Sequence, residues 1–227
     1  MTMDLCKKSL PVRGKYKDIA EKKCCREDGH EGECGEFSYL SDLSTTHPRV
    51  ANKIKRDATK TTGAAWKSED AGPNRIDRWV MLQSDEVLLQ YGLNMAALKP
   101  GVVAKLREKA ATYDDCMEVA AKLTWLAYQM PDAPECPPTI KKYLESRFSP
   151  MVASATTCIV CKEPLSFSLF ENAQRGKAEI ETAHSNPREH NQTNVGFAHR
   201  ECNIAQGNKT LEEFYEWISG ILDRVQP

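Results

Sequence analysis

The sequence has no run of about 18 apolar residues, the shortest that reads as a membrane-crossing helix, so we expect no membrane partner. Its opening residues, MTMDLCKKSLPVRGKYK, lack the apolar core of a secretory signal, and we therefore expect a cytoplasmic protein. Internal repeats and low-complexity tracts are also missing. The 227 residues are enough for one or two domains with a buried core.

An excess of one charge is missing too, because 31 basic residues face 32 acidic ones. The net charge therefore does not indicate a partner, but the distribution of charge does. Residues 49–67 contain a single acid, Asp57, among six basic side chains: Arg49, Lys53, Lys55, Arg56, Lys60 and Lys67. We expect residues 52–67 to form a short basic helix or an arm, which is either a solvated face or a surface for phosphates.

Nine cysteines are many for a protein expected in a reducing compartment. Disulfides are disfavoured there, so metal binding or catalysis explains the cysteines better. Seven of them form two groups near the ends of the chain: Cys6, Cys24, Cys25 and Cys34, then Cys158, Cys161 and Cys202. We interpret the other two, Cys116 and Cys136, as ordinary small residues.

Helical periodicity dominates the middle of the chain. Apolar residues recur at helical spacing over residues 85–91, 100–110 and 114–130, which predicts a small helical bundle that supplies core and shape. The Pro-rich stretch PDAPECPP, residues 131–138, then predicts a stiff linker and a domain boundary.

After the linker, the pattern predicts a short helix, strand-like runs and a last helix. Thr139 is expected to cap the short helix, which extends to Phe148. Thr210 and Glu213 form a T-x-x-E capping box that opens a final amphipathic helix.

Cys158 and Cys161 form a C-x-x-C pair, which is ambiguous alone. A redox pair would need a strand before it and a helix after it, whereas the residues that follow here, Lys-Glu-Pro, favour a zinc knuckle. His199 and Cys202 supply the two further ligands that tetrahedral zinc needs, because residues i and i+3 on a first helical turn point the same way. With four protein ligands, this zinc is expected to be structural.

The sequence around this pair closely resembles the HNH nuclease superfamily, which has the ββα-metal fold. The resemblance rests on C-x2-C, a strand-like run that ends in His184 and continues x-x-Pro, and the spacing N-x4-H-x2-C-N from Asn194 to Asn203. It covers roughly residues 157–210, about a quarter of the chain.

The resemblance implies a role for each matching residue. His184 corresponds to the general base, a neutral imidazole that deprotonates water in line with the phosphorus. Asn194 corresponds to the residue that fixes the base or the loop around it. Asn203 corresponds to a ligand of one divalent ion, expected to be Mg²⁺ with Mn²⁺ able to substitute, and it directly follows the zinc ligand Cys202.

One position departs from the common pattern. Many family members have a metal-binding acid immediately before the base. This chain has Ala183 there, and some branches of the family also have alanine at the corresponding position. A second ligand of the catalytic ion is therefore unassigned, and Glu181 and His190 are the nearby candidates.

The N-terminal cysteine group predicts a second zinc site or, alternatively, unligated thiols. Its donors would be Cys6, one of Cys24 and Cys25 (Cys25 preferred), His30 and Cys34, and the zinc would staple a segment too polar to fold alone. Beside a nuclease motif, the basic run is expected to contact DNA phosphates through Lys53, Lys55, Arg56 and Lys60.

These expectations combine into an α+β protein with three regions. Residues 1–45 are a Cys/His-rich zinc-binding segment, residues 46–135 a basic and helical DNA-recognition region, and residues 139–227 an HNH nuclease domain with a C-terminal helix. The layout is most like a type II restriction endonuclease that cuts double-stranded DNA as a homodimer, since one such site cuts one strand. The alternatives are a nicking, homing or phage-processing HNH nuclease, and a zinc-stabilised DNA-binding protein that does not cut.

Overall fold

The computed structural model describes residues 5–13, 16–26, 28–29, 31, 35–61, 76–172 and 179–225. Within them the helices are α1 (Ser41–Thr46), α2 (Pro48–Thr59), α3 (Asp85–Gln90), α4 (Pro100–Glu108), α5 (Tyr113–Ala127), α6 (Pro138–Arg147), α7 (Phe167–Glu171), α8 (Arg200–Gln206) and α9 (Leu211–Val225). The strands are β1 (Ile180–His184) and β2 (Val195–His199). Helices with one small sheet confirm the expected α+β class.

Helices α3, α4 and α5 confirm the three segments predicted in the middle of the chain. Ser84 caps α3 by accepting a hydrogen bond from the Val87 N–H, and Thr112 caps α5 by accepting one from the Asp115 N–H. Gly92, with φ of 70°, adopts the left-handed conformation just after α3. Local sequence therefore determines where α3 begins and ends and where α5 begins.

The basic run forms helix α2 as far as Thr59, and its part beyond residue 61 lies outside the described residues. Pro48 opens this helix, where a missing N–H costs nothing. Its buried face, which includes Val50 and Ile54, packs on α5. The opposite, polar face is left for solvent or a ligand.

Helix α5 lies at the centre of the molecule, because it contacts α2 on one side and β2 on another. Buried apolar side chains from before and after residues 131–138 form one continuous cluster, from Leu43 in α1 through Leu123 in α5 to Phe197 in β2. This packing brings the basic helix α2 close to the strands of the C-terminal region.

Strands β1 and β2 form an antiparallel pair in which His184 lies opposite Val195 and Ile180 lies opposite His199. Helix α8 follows β2 directly and packs on both strands. The two ends of the hairpin therefore carry different candidate site residues. His184 lies at the loop end, and His199 lies where the chain enters α8.

One predicted cap is wrong and another is confirmed. Helix α6 begins at Pro138 rather than after Thr139, because a proline at the first helical position already has the required φ. Before α9, the Thr210 hydroxyl accepts from the Glu213 N–H and the Glu213 carboxylate accepts from the Thr210 N–H. Among the described residues, every helix is too short or too polar to span a bilayer.

Candidate functional site

The structure brings Cys158, Cys161, His199 and Cys202 together, and their ligand atoms all lie within 4.8 Å of one another. Four donors around one zinc ion lie about 3.8 Å apart when the Zn–S bonds are about 2.3 Å long, so the cluster fits a tetrahedral ion. His199 Nδ1 lies 3.3 Å from Cys161 Sγ, which identifies the ring nitrogen that faces the cluster. Among the described residues, this is the only such group of Cys, His and carboxylate donors.

The turn that carries Cys158 and Cys161 is held against strand β2. The Lys162 N–H donates to the Cys158 carbonyl at 3.0 Å, and Lys162 has a left-handed φ of 68° that turns the chain back. The Ile159 N–H donates to the Phe197 carbonyl at 2.9 Å. A side chain at Gly196 would collide with Ile159, so glycine is required where the turn crosses the strand.

The surroundings of Cys158 favour its thiolate form. Burial raises the pKa of this thiol, but backbone N–H groups of Cys161, His199 and Val160 hydrogen-bond the sulfur and bring the pKa below its ordinary value. Because metals bind thiolates, this arrangement prepares one ligand for a cation.

The predicted N-terminal zinc site is only partly covered, since His30 and Cys34 lie outside the described residues. The described part places Cys6 alongside Cys24 and Cys25. The Cys6 N–H donates to the Arg26 carbonyl, and the Cys24 N–H donates to the Lys8 carbonyl. Burial raises the pKa of the Cys25 thiol to about 11. A second zinc site stays a prediction.

A cleft of about 430 Å³ opens between α2 and the C-terminal hairpin. His184 and Asn203, two of the predicted catalytic residues, both line it. Asn194, the third, lies behind the cleft rather than in it, and only 8% of its surface is exposed.

Basic side chains outnumber acidic ones along the cleft walls. The basic ones are Lys53, Arg56, Arg78 and Lys109, and the acidic ones are Asp57 and Glu181. Of the four residues predicted to bind DNA, only Lys53 and Arg56 line the cleft. The Lys55 ammonium donates instead to the Ser44 hydroxyl at 3.0 Å, and Lys60 pairs with Asp77.

Asp57, the single acid of the basic run, joins α2 to strand β1. Its carboxylate accepts from Lys53 Nζ at 3.3 Å and from Arg56 Nε at 2.7 Å, and the Thr182 hydroxyl donates to it at 3.1 Å. Burial raises the pKa of Asp57, but the two cations outweigh burial and leave it below the ordinary value. Lys53 and Arg56 are thus oriented at the cleft by a charged carboxylate.

His184 ends β1 and is fixed on two sides. The Gln206 amide donates to its carbonyl at 2.9 Å, and His184 Nε2 lies 3.0 Å from His190 Nδ1. Burial, together with the positive charges of Arg78 and Lys109, lowers the pKa of His184 to about 3. The imidazole is therefore neutral at pH 7, as a proton acceptor must be.

Asn194 closes the loop between β1 and β2. Its amide nitrogen donates to the carbonyls of Asn186 and Glu189 at 2.8 and 2.7 Å, and its amide oxygen accepts from the Asn186 N–H at 2.7 Å. Its own carbonyl accepts from the Ser185 N–H at 2.9 Å. All the hydrogen bonds of its amide thus serve to shape the chain next to His184.

Asn203 and Glu181 face each other across α8 and β1, with Asn203 Nδ2 at 2.9 Å from Glu181 Oε2. Turning the amide by 180° would place its oxygen beside the carboxylate, and two such oxygens suit Mg²⁺. His190, the other residue considered as a second ligand, is unsuited to this role. It is only 5% exposed, and both of its ring nitrogens already have partners, His184 and the Ala58 carbonyl.

Three residues at the site carried no signal in the sequence. Arg78 is 2% exposed and donates to the carbonyls of Lys109 and Asp57, which joins the ends of α4 and α2 at the wall of the cleft. Lys109 lies where α4 ends, and Gln206 is buried beneath His184. Each reaches the site through long-range packing, so no local pattern could have identified it.

Comparison with known proteins finds a family model and a solved structure that each match most of the chain. The family model described as DraIII matches residues 36–202. A crystal structure of a type II restriction endonuclease matches with a TM-score of 0.86 at 47% sequence identity, over 99% of this chain and 99% of that chain. No curated protein matches the sequence.

Proposed function

Because the chain belongs to the DraIII family, a family of restriction endonucleases, we propose that it is a type II restriction endonuclease. It would hydrolyse phosphodiester bonds at a specific site in double-stranded DNA with the help of a divalent ion. We further propose that residues 157–210 are its catalytic unit and belong to the HNH, or ββα-metal, class. This class is supported by the order of β1, β2 and α8, with His184 at the end of β1, Asn194 just before β2 and Asn203 within α8.

The single observation that carries the proposal is the composition of the cleft. A neutral imidazole, a carboxylate beside an amide, and an excess of cations surround one cavity of about 430 Å³. Hydrolysis of a phosphodiester needs a base for water, charge stabilisation at the phosphate and a way to hold an anionic strand. The cleft offers a group for each need.

The chain's own residues would divide the reaction between them. His184 takes the proton from the attacking water, and Asn194 keeps the loop after His184 in a fixed shape. Glu181 and Asn203 would hold the catalytic Mg²⁺, and Glu181 would supply the carboxylate that is missing at position 183. The ion would neutralise charge on the scissile phosphate and the departing 3′ oxygen.

The cluster of Cys158, Cys161, His199 and Cys202 would hold a structural zinc ion. Cys202 directly precedes Asn203 on α8, and His199 is the last residue of β2. Zinc would therefore fix the start of α8 against the hairpin and so hold Asn203 opposite Glu181. Its role would be to orient the catalytic ion's ligands rather than to react.

Helix α2 would bind the phosphates of the substrate. Lys53 and Arg56 face the same cleft as His184, so a DNA strand bound by these two residues would run past the general base, His184. We also propose that two copies of the chain act together, because one cleft with one base cuts one strand. Sedimentation of the protein with and without DNA would measure this stoichiometry.

Cleavage of supercoiled plasmid in the presence of Mg²⁺ tests the proposed function directly. A discrete linear product is expected, and a pattern of fixed fragments from larger DNA would establish site specificity. Nicked circles alone would favour a nicking enzyme. Intact plasmid that is nevertheless retained by the protein would favour a DNA-binding protein that does not cut.

His184→Ala provides the test of the site. The cleavage rate should fall by about two to four orders of magnitude, as for loss of a general base. The Kd for DNA in Ca²⁺ should hardly change, because the base acts on the transition state. Cleavage at the wild-type rate by a folded variant would show that the site is wrongly assigned.

A further inference from the structure

His190 is a buried histidine that the proposed reaction does not use, and it lies between His184 and helix α2. Its Nδ1 lies 3.0 Å from His184 Nε2, and its Nε2 lies 2.7 Å from the Ala58 carbonyl oxygen. Ala58 and His190 are 132 residues apart in the chain. This series of contacts from His184 through His190 to Ala58 therefore exists only because α2 packs beside the hairpin.

The two contacts determine which nitrogens carry hydrogen. A carbonyl oxygen can only accept, so His190 Nε2 must carry the proton that it donates to Ala58. Burial and the charge of Arg78 lower the pKa of His190 to about 2, so its ring is neutral and Nδ1 has a lone pair. His184 Nε2 must then donate to this lone pair, which leaves the lone pair of the neutral His184 ring on Nδ1.

The C-terminal end of α2 suits this arrangement. Carbonyls in the last turn of a helix have no N–H partner within the helix, and they lie at its negative end. The Ala58 carbonyl is one of these, and His190 satisfies it. Asn194 meanwhile ties the preceding Glu189 into the loop at 2.7 Å, which limits how His190 can move.

We infer that His190 is a positioning residue that holds His184 in the Nε2–H tautomer and presents Nδ1 as the base. The inference rests on the proposed function, because it specifies how the proposed base is oriented. Nδ1 of His184 has no hydrogen-bond partner among the described residues, so it is the nitrogen left for water. The chain thus uses a second histidine, anchored on the basic helix, to orient the first.

Two substitutions at His190 separate its two hydrogen bonds. Asn places an acceptor oxygen near the position of Nδ1, whereas Gln places a donor nitrogen near the position of Nε2. His190→Asn should therefore keep most of the cleavage rate under single turnover. His190→Gln should lose about ten- to a hundredfold, the same range as for loss of a hydrogen-bond partner that orients a metal-binding histidine. The Kd for DNA in Ca²⁺ should be the same for both, since neither bond touches DNA.

A readout that does not depend on cleavage is the tautomer itself. The protein has five histidines, so the ring nitrogens can be resolved by NMR after ¹⁵N-histidine labelling, with His184→Ala for assignment. We expect hydrogen on Nε2 and a lone pair on Nδ1 of His184 in the wild type, and a mixture of tautomers in His190→Gln. This measurement needs neither DNA nor a folded His190→Asn variant.

The outcomes distinguish the inference from the proposed function. Hydrogen on Nδ1 of His184 in the wild type would overturn the inference, as would cleavage by His190→Gln that equals that of His190→Asn. The expected tautomer in a wild-type protein that never cuts DNA would overturn the proposed function and leave the tautomer assignment standing.

Discussion

Asn203 Nδ2 lies 2.9 Å from Glu181 Oε2, so the residue next to the cysteine cluster meets the carboxylate three positions before His184. Strand β1 supplies one partner and helix α8 the other. Since α8 also carries Cys202, the two halves of the site are joined by a single helix of seven residues. Disturbing either half should therefore affect the other.

The first prediction concerns the catalytic ion. Glu181→Gln and Asn203→Ala should each raise the Mg²⁺ concentration needed for half-maximal cleavage by about tenfold or more, equivalent to at least about 1.4 kcal/mol of metal binding. High Mg²⁺ or Mn²⁺ should restore part of the rate. Titration of the cleavage rate with metal measures this effect. Glu179→Gln, on an exposed neighbouring carboxylate, is the control and should behave as wild type. Unchanged metal dependence in both variants would remove these residues from the metal site.

The second prediction concerns zinc. Full-length protein purified without added metal should contain one tightly held zinc from the C-terminal cluster, and Cys161→Ser should lose it and melt at a lower temperature. Cys136→Ser is the matched control, because Cys136 lies in the linker and outside the cluster. Elemental analysis measures the zinc content of the two variants. Equal zinc contents would show that Cys161 is not a zinc ligand.

The same measurement tests the N-terminal site. If Cys6, Cys25, His30 and Cys34 also bind zinc, the wild type should contain two ions per chain, and Cys161→Ser should retain one. A zinc content of one ion per wild-type chain would show that the second zinc site does not exist.

The third prediction concerns DNA affinity. Lys53→Ala and Arg56→Ala should each reduce the slope of log K against log salt by about 0.9, since one fewer counterion is released. Lys60→Ala should leave the slope unchanged, because Lys60 does not line the cleft. Binding titrations at several salt concentrations in Ca²⁺ measure the slopes. Equal slopes for the Arg56 and Lys60 variants would mean that α2 does not face the DNA.

The fourth prediction concerns stability at low pH. The folded protein keeps His190 neutral down to a pKa of about 2, whereas in the unfolded chain it titrates near its ordinary value of 6.5. As the pH falls, the unfolded state therefore binds a proton at His190 before the folded state does. The contribution of neutral His190 to the free energy of unfolding is complete above pH 6.5 and is lost as the pH falls below this value. Each pH unit below 6.5 costs about 1.4 kcal/mol from this group.

Denaturant unfolding of wild type and His190→Asn between pH 7 and pH 5 measures this contribution. The difference in free energy of unfolding between the two proteins should change by roughly 2 kcal/mol over that range. Parallel pH dependence of the two proteins would show that His190 is not kept neutral by the fold.

Features that depend on neighbouring residues could be predicted from the sequence. The T-x-x-E box at Thr210 and the start of α4 at Pro100 follow from local capping chemistry. The convergence of Cys158, Cys161, His199 and Cys202 could also be predicted, because a two-residue knuckle and a three-residue step each bring two donors together. The position of His184 at a strand end follows from the same kind of spacing.

Only the tertiary structure decided which distant groups meet at the cleft. Thr182 reaches Asp57 across 125 residues and His190 reaches Ala58 across 132, and both contacts require α2 to pack beside the hairpin. The same packing turned Lys53 toward the cleft and Lys60 toward Asp77, although both belong to one basic run. Spacing along a chain determines which side chains share a turn or a strand end. The burial of helix α5 between α2 and β2 determines which turns and strand ends share a site.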